Sequence, residues 1–283
     1  MTGTGRIVWL ASYPKSGNTW MRLALASLRL RGGAIDINRL RDANELGAAS
    51  RMHFDLLAEV DSSDLTHDEI QRARPAIYRQ MSDGMSDPGL FKTHDAFVRV
   101  PGGAWLFPKE ATLGAVLIVR DPRDVAVSTA HAYDRDIDAV IAQMADPHAR
   151  LATGRLLPQV PQTTLDWSGH ARSWLDAPGM DTILVRYEDM LADLASELAR
   201  IAPLLDLPRT PAALAGAVEA TRFDHLRAEE ERHGFRERQP KAERFFREGR
   251  SGGWREALSA DQARRIAHDH GEMMERLGYL PEA

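Results

Sequence analysis

The sequence predicts an α/β fold, in which a parallel sheet is flanked by helices on both faces and carries a P-loop-like loop. Three short runs are almost entirely apolar, at residues 7–11, 114–119 and 182–185. Each run is followed by a polar or charged loop and then by helical sequence. Near-continuous apolar strands that alternate with helices are typical of parallel sheets covered on both sides. Ligands of such sheets bind beyond the carboxyl ends of the strands.

The elements follow in order along the chain. After the first run, a loop with a proline and a glycine leads into residues 20–28, which are rich in strong helix formers. A shorter run at residues 90–93 predicts another strand that ends in polar residues. The second main run leads through residues 120–124 into a helix that we expect to end near Tyr133. The third precedes a helix with apolar residues at spacings of three and four. They are Met190, Leu194, Leu198, Ile201 and Leu205.

The chain length favours one domain over residues 1–283, with insertions at about 32–89 and 134–165. Both insertions are mostly polar, and they either shape an acceptor pocket or simply connect elements. Residues 228–255 are dense in Arg and Glu and contain four glycines, so we expect a solvated, mobile segment that could act as a lid.

Composition excludes several classes of function. The net charge is −5, which argues against a binder of nucleic acid, so any anion site must be local. The chain has no cysteine, which removes disulfides, thiol nucleophiles and Cys-ligated metals. No run approaches the roughly 20 apolar residues that span a bilayer. We therefore expect a cytoplasmic protein without a membrane partner.

The loop after the first strand predicts an anion site. Successive backbone N–H groups and the start of the next helix attract an anion there, and Lys15 adds a full positive charge. The hydroxyls of Ser16 and Thr19 add donors. In the nucleotide-hydrolysing P-loop, Gly-Lys-Ser/Thr supplies a hydroxyl that binds Mg²⁺. Here Asn18 follows Gly17, so that ligand is missing and no metal is predicted.

Four segments together resemble the sulfotransferases that use 3′-phosphoadenosine-5′-phosphosulfate (PAPS). They are residues 13–20, residues 92–94, residues 119–124 with Ser128, and residues 246–254. The first is similar to that family's 5′-phosphosulfate loop, which includes Gly17 and Asn18 here. The resemblance implies transfer of a sulfuryl group from PAPS to a small-molecule acceptor, leaving adenosine 3′,5′-bisphosphate (PAP) as product and using no metal.

The same resemblance assigns the 3′-phosphate of the donor to a second site. Arg120 and Ser128 would hold this phosphate, since a guanidinium can make a bidentate contact. Arg247 and Gly249 would close over it from the glycine-rich segment. Glu248 departs from the family pattern, because many members have lysine there. We expect Arg250 or Arg244 to compensate its charge.

The adenine needs flat partners, which the resemblance also assigns. Trp20 is similar to the family's adenine-stacking tryptophan, and Tyr187 to a further contact. Thr221 and Phe223 belong to a third adenine-contacting segment. Core packing is the alternative role for each side chain. For Phe223 this alternative is nearly as strong as contact with the adenine.

The catalytic candidates are Lys15, Lys92 and His94. Lys15 could stabilise charge on the oxygen that leaves with the phosphate. Lys92 could bind a sulfuryl oxygen, and an imidazole with a pKa near neutrality could act as general base at His94. Asp95 departs from the family, where an apolar residue is common; it is either neutral in effect or faces a polar acceptor.

Two other hypotheses remain open from the sequence. A P-loop kinase or nucleoside triphosphatase would explain the phosphate loop, but it needs the missing magnesium ligand and no 3′-phosphate site. A nucleotide-binding module without activity would not need Lys15, Lys92 and His94 together. The acceptor, whether phenol, alcohol, amine or sugar, and the oligomeric state are not encoded in a readable pattern.

Overall fold

The computed structural model describes residues 6–40 and 45–280. The strands of these residues are β1 (Ile7–Ser12), β2 (Glu45–Gly47), β3 (Gly89–Thr93), β4 (Thr112–Val119), β5 (Arg150–Leu151), β6 (Gln162–Thr163) and β7 (Thr182–Arg186). Within the described chain, β2, β3, β1, β4 and β7 form one sheet in that spatial order, and β5 and β6 form a separate antiparallel pair.

The main sheet is parallel throughout, with β1 between β3 and β4. The chain therefore winds in opposite directions on the two sides of β1, which creates a switch point where the loops after neighbouring strands converge. The four strands predicted from apolar runs are confirmed. The edge strand β2 was not predicted, since it lies in the region predicted as polar helix and loop. Its three residues are too few to show a strand pattern.

Helices cover both faces of the sheet. Those of the described residues are α1 (Asn18–Arg29), α2 (Arg51–Ala58), α3 (His67–Asp83), α4 (Pro122–Tyr133), α5 (Ile137–Met144), α6 (Trp167–Leu175), α7 (Tyr187–Ile201), α8 (Pro211–Ala220), α9 (Phe223–His233), α10 (Trp254–Ala257) and α11 (Ala260–Arg276). Over residues 6–40 and 45–280, no helix has both the length and the apolar character needed to cross a bilayer.

Alternate residues of β1 supply the two halves of the core. Trp9 is fully buried among apolar residues of α4, α5, α6 and α11. Leu10 is fully buried on the opposite face, among residues of α1, α7 and α8. The side-chain alternation of a strand thus joins two hydrophobic layers through one buried sheet.

The two predicted insertions meet beside the carboxyl end of β3. The Ala48 N–H donates to the carbonyl of Lys92 (2.9 Å), and the Val160 N–H donates to the carbonyl of Ala49 (2.9 Å). The Ala96 N–H donates to the carbonyl of Thr163 (2.8 Å). Segments from both insertions therefore border the strand end that carries the candidate catalytic residues, while their role in an acceptor pocket stays a prediction.

The segment at residues 228–255, which was predicted to be solvated, is only partly exposed to solvent. Its first residues continue α9 to His233, and irregular chain then leads to α10. Within this chain Phe235 and Phe246 are buried against Leu23 of α1. The expectation of a fully solvated segment was wrong at these positions, because its aromatic residues anchor it on α1 next to the phosphate loop.

Candidate active site

The phosphate loop links β1 to α1 through a strained turn. Gly17, directly before α1, has a φ of 102°, and Lys15 has a φ of 69° although it is not glycine. A Cβ at Gly17 would lie 2.7 Å from Cδ2 of Tyr187, so only glycine fits. Positive φ at a lysine is uncommon and costs energy, and such strain clusters at functional sites.

Buried polar atoms of the loop are suited to an anionic ligand. The Ser16 hydroxyl and Nε of Arg120 are buried and have no hydrogen-bond partner among the described residues. Nδ2 of Asn18 donates to the carbonyl of Leu10 (3.2 Å) and to the Ser12 hydroxyl (3.1 Å), which fixes the loop against β1. Unpaired buried donors cost stability unless a ligand accepts from them, so they fit a phosphate or sulfate group.

Positive charge is concentrated around Lys15. Burial, together with the charges of Arg120, Lys92 and Arg247, lowers the pKa of Lys15 to about 8. Nζ of Lys15 lies 4.9 Å from the ring centroid of Phe245. An anion placed among these cations would relieve their repulsion.

Arg120 connects the phosphate loop to the glycine-rich segment. Its guanidinium donates to the carbonyls of Lys15 (3.4 Å) and Arg250 (3.1 Å), and it stacks 4.3 Å above the Tyr187 ring. Ser128, on α4, is half-buried. The structure therefore brings Arg120 to the same site as Lys15, although 105 residues separate them.

Asp124 holds the glycine-rich segment in place. Its carboxylate accepts from the backbone N–H groups of Gly252 (2.7 Å) and Trp254 (2.9 Å) and from the Ser251 hydroxyl (3.4 Å). The Asp124 side chain therefore fixes a segment 128 residues away in sequence.

The charge of Glu248 is compensated within the same segment. Its carboxylate pairs with Arg247 (3.0 Å) and Arg250 (3.0 Å). The prediction of Arg250 as a compensating residue is confirmed, whereas Arg244 pairs with Glu231 and Glu243. One of the two arginines therefore offsets the departure from the family pattern.

Gly249 adopts a φ of 62°, and a Cβ there would lie 2.3 Å from Cδ2 of Phe223. The glycine-rich segment therefore passes directly over the Phe223 ring. The contact brings the predicted adenine-contacting segment of Phe223 next to the predicted 3′-phosphate lid.

Three of the predicted adenine partners lie together: Trp20 and Tyr187 near the starts of α1 and α7, and Thr221 at the end of α8. The ring centroids of Trp20 and Tyr187 are 5.8 Å apart. Nε1 of Trp20 donates to the carbonyl of Thr221 (3.0 Å), which orients the indole. The Thr221 hydroxyl is buried and donates to the carbonyl of Ala217 (2.7 Å), so its side chain serves the end of α8.

His94 is positioned as a base with a defined tautomer. Its Nδ1 lies 2.8 Å from the carbonyl oxygen of Ser12, which can only accept, so Nδ1 carries the proton and Nε2 has the lone pair. The His94 N–H donates to Oε1 of Gln162 (3.2 Å). Burial, with a further contribution from Lys92, lowers the pKa of His94 to about 3. The predicted pKa near neutrality was therefore wrong.

Asp95 does not face an acceptor. It is fully buried, and its carboxylate pairs with Arg74 of α3 at 3.0 and 2.5 Å. The Trp174 indole donates to the carbonyl of Asp95 (2.9 Å). The alternative in which Asp95 recognises a polar acceptor is contradicted, because the side chain points into the core.

Other histidines and tryptophans belong mainly to the packing. Trp167, His170 and Trp174 are buried in α6, as expected for core residues. His270 pairs with Ser168 (3.0 Å), and His268 lies on the surface beside Asp269. Among the described residues, no group of three His, Asp or Glu side chains is arranged to hold a metal ion.

Known proteins share the motifs and the fold. The sulfotransferase domain family matches residues 6–278. This chain belongs to the sulfotransferase family. The family prediction from four short motifs is therefore confirmed over nearly the whole chain.

Individual relatives of this sulfotransferase-family chain are distant. Sulfotransferase 1E1 from Cavia porcellus is 23% identical over 222 residues, covering 77% of this chain and 64% of the relative. Mouse sulfotransferase SULT7A1 complexed with PAP has a TM-score of 0.60 at 17% identity, over 95% of this chain and 84% of that one. Retinol dehydratase complexed with retinol and PAP has a TM-score of 0.61 at 19% identity, over 97% and 82%. The likeness to these structures shows a shared fold.

Two charged residues of the sulfotransferase-family site were not predicted. Arg22 of α1 is buried, and its Nη1 lies 2.8 Å from Oε1 of Glu237. Oε2 of Glu237 also accepts from the Thr19 hydroxyl (3.1 Å). Arg22 could have been inferred from its position three residues after Thr19 on one helix face. Glu237 had no local signal, because it lies in a segment with many Arg and Glu residues.

Proposed function

We propose that this protein transfers a sulfuryl group from PAPS to a hydroxyl or amine of a small-molecule acceptor. The observation that carries the proposal is a cluster of cations beside two aromatic rings. The charges of Arg120, Lys92 and Arg247 all act on Lys15. The Tyr187 ring contacts both Trp20 and the Arg120 guanidinium. A nucleotide with anionic groups at both its 5′ and 3′ positions fits this arrangement.

The neighbouring structures support the same donor. Mouse SULT7A1 and retinol dehydratase were each crystallised with PAP. PAP is the nucleotide that remains after PAPS gives up its sulfuryl group. Unpaired buried donors at Ser16 and Arg120 agree with such a ligand.

Each candidate catalytic side chain has a distinct proposed role. PAPS, when bound, supplies an activated sulfuryl group and a phosphate leaving group. Lys15 stabilises the negative charge that develops on the leaving oxygen, and Lys92 binds a sulfuryl oxygen. Nε2 of His94 accepts the acceptor proton, since Nδ1 is committed to Ser12.

The low pKa of His94 bears on its role as the base. A base with a pKa of about 3 accepts a proton poorly at neutral pH. Burial is the main cause of this low pKa, and the charge of Lys92 is the second. An anionic donor beside Lys92 would offset that second cause, so we expect donor binding to raise the pKa of His94.

The acceptor is proposed to enter beside the carboxyl end of β3. Gln162 of β6 contacts the backbone of His94, and the segment before α2 contacts Lys92. Retinol dehydratase was crystallised with androsterone in one structure and with retinol in another. By analogy of fold, we propose a small organic molecule with a nucleophilic hydroxyl or amine.

Binding and turnover test the proposal together. The protein should bind PAP more tightly than ATP, with or without Mg²⁺, and EDTA should not abolish turnover. Arg120→Ala should weaken PAP more than adenosine 5′-phosphate, since a charge-assisted bidentate contact is worth about 1.5–3 kcal/mol. Preferred binding of Mg²⁺-ATP would support a kinase instead.

The base is tested separately from the donor site. His94→Ala should reduce turnover about 10²-fold or more and leave PAP affinity nearly unchanged, because a general base typically contributes 10²–10⁴-fold. The matched control is His131→Ala, which removes an exposed histidine of α4. Near-normal turnover of His94→Ala on an alcohol acceptor would refute the assignment.

A further inference from the structure

Glu237 places a carboxylate on the groups that are assigned to the 5′ end of the donor. Oε2 accepts from the Thr19 hydroxyl at 3.1 Å, and Nη1 of Arg22 lies 2.8 Å from Oε1 and 3.0 Å from Oε2. Burial by itself would raise the pKa of Glu237, but the charges of Lys92 and Arg22 lower it. The carboxylate is therefore ionised at neutral pH.

This arrangement reproduces what an oxyanion would do at the same place. A carboxylate, like a phosphate or sulfate oxygen pair, is anionic and only accepts hydrogen bonds. Thr19 belongs to the phosphate loop, and Lys92 is the proposed ligand of the sulfuryl group. Two negative groups held side by side on these cations would repel each other.

We propose that Glu237 is an internal competitor of the donor. Its carboxylate occupies the Thr19 hydroxyl of the phosphate loop and the neighbouring Arg22, and a donor or product with a 5′ anion must displace it. The inference rests on the proposed function, because it assumes that PAPS and PAP bind at Lys15 and Thr19. Glu237 thereby sets the affinity for the donor and speeds the release of PAP.

The expected effect follows from the population of the released state. Only molecules in which Glu237 has left the site bind a 5′ anion, so the apparent dissociation constant is the intrinsic one divided by that fraction. If Glu237 has left the site in about one molecule in ten, Glu237→Gln should bind PAP about 10-fold more tightly. Glu237→Asp, which keeps the charge but shortens its reach, should show a smaller gain.

The test compares two ligands and a matched control. Dissociation constants for PAP and for adenosine 3′-phosphate are measured by calorimetry on the full chain. Glu237→Gln should tighten PAP alone, because adenosine 3′-phosphate has no 5′ anion to compete. Glu243→Gln removes the same charge from the same segment at a side chain that is 90% exposed, and it should leave both constants unchanged.

The possible results separate this inference from the proposed function. Unchanged or weaker PAP binding by a folded Glu237→Gln protein overturns the competitor role and leaves the donor assignment intact. Equal tightening of both ligands also overturns it, since a general opening of the segment would then be responsible. If the wild-type protein binds no PAP at all, the proposed function fails, and this inference fails with it.

Discussion

Replacing Asp95 with alanine tests the buried ion pair next to the candidate general base. Each oxygen of the Asp95 carboxylate is paired with Arg74. The carboxylate also accepts from the Thr163 N–H (2.8 Å) and the Thr93 hydroxyl (3.2 Å). Arg74 and Asp95 have side chains that are 1% and 0% exposed. Removal of the carboxylate therefore leaves a guanidinium and a backbone donor without their partner and away from water.

The expected loss of stability follows from that geometry. Removing one partner of a buried ion pair costs about 3–5 kcal/mol, because the remaining charge stays desolvated. At about 2–4 °C per kcal/mol for a domain of this size class, the melting temperature should fall by about 6–20 °C. Turnover per folded molecule should fall as well, since Asp95 directly follows His94 and ties it to α3.

Urea unfolding, followed by tryptophan fluorescence, measures the free energy of unfolding. The control is the double variant Arg74→Met with Asp95→Leu, which replaces the ion pair by apolar groups and should recover most of the loss. A loss below about 1 kcal/mol for Asp95→Ala would refute the reasoning, as would a double variant that is no more stable than the single one. A selective rise in acceptor KM without loss of stability would restore a role in acceptor binding.

Three other perturbations address charge and the glycine-rich segment. Raising the pH through about 8 should weaken PAP binding, because the Lys15 cation is lost above its lowered pKa. Calorimetry measures this loss of affinity, and Lys15→Arg should move it to higher pH. His94 and His170 have pKa values of about 3 when folded, so the free energy of unfolding should decrease below pH 6.5, by up to about 1.4 kcal/mol per pH unit for each histidine. Urea titrations at pH 7.5 and 5.5 measure this decrease, and His170→Gln should make the decrease with pH smaller. Asp124→Ala should weaken PAP about 10-fold but leave adenosine 5′-phosphate unchanged, because residues 251–254 lose their anchor. An unchanged PAP affinity would remove that role.

The pH behaviour of His94 shows where sequence reasoning was insufficient. The triplet at residues 92–94 identified the histidine, but its pKa depends on burial and on the direction in which Lys92 points. The tautomer depends on the carbonyl of Ser12, which is 82 residues away. Neither quantity can be obtained from the residues next to His94.

The sequence by itself determined four strands of the main sheet, the helices that follow three of them, the phosphate loop and the family. These features depend on short-range patterns: apolar runs, helix spacing, and the order of Lys15, Gly17 and Asn18. The tertiary structure decided which charges meet. The contact of Glu237 with Thr19 joins residues 218 positions apart, and the anchor from Asp124 to Trp254 joins residues 130 positions apart. Such pairings arise when the loops of a parallel sheet converge at its switch point, and no local pattern in the chain records which side chains will be neighbours there.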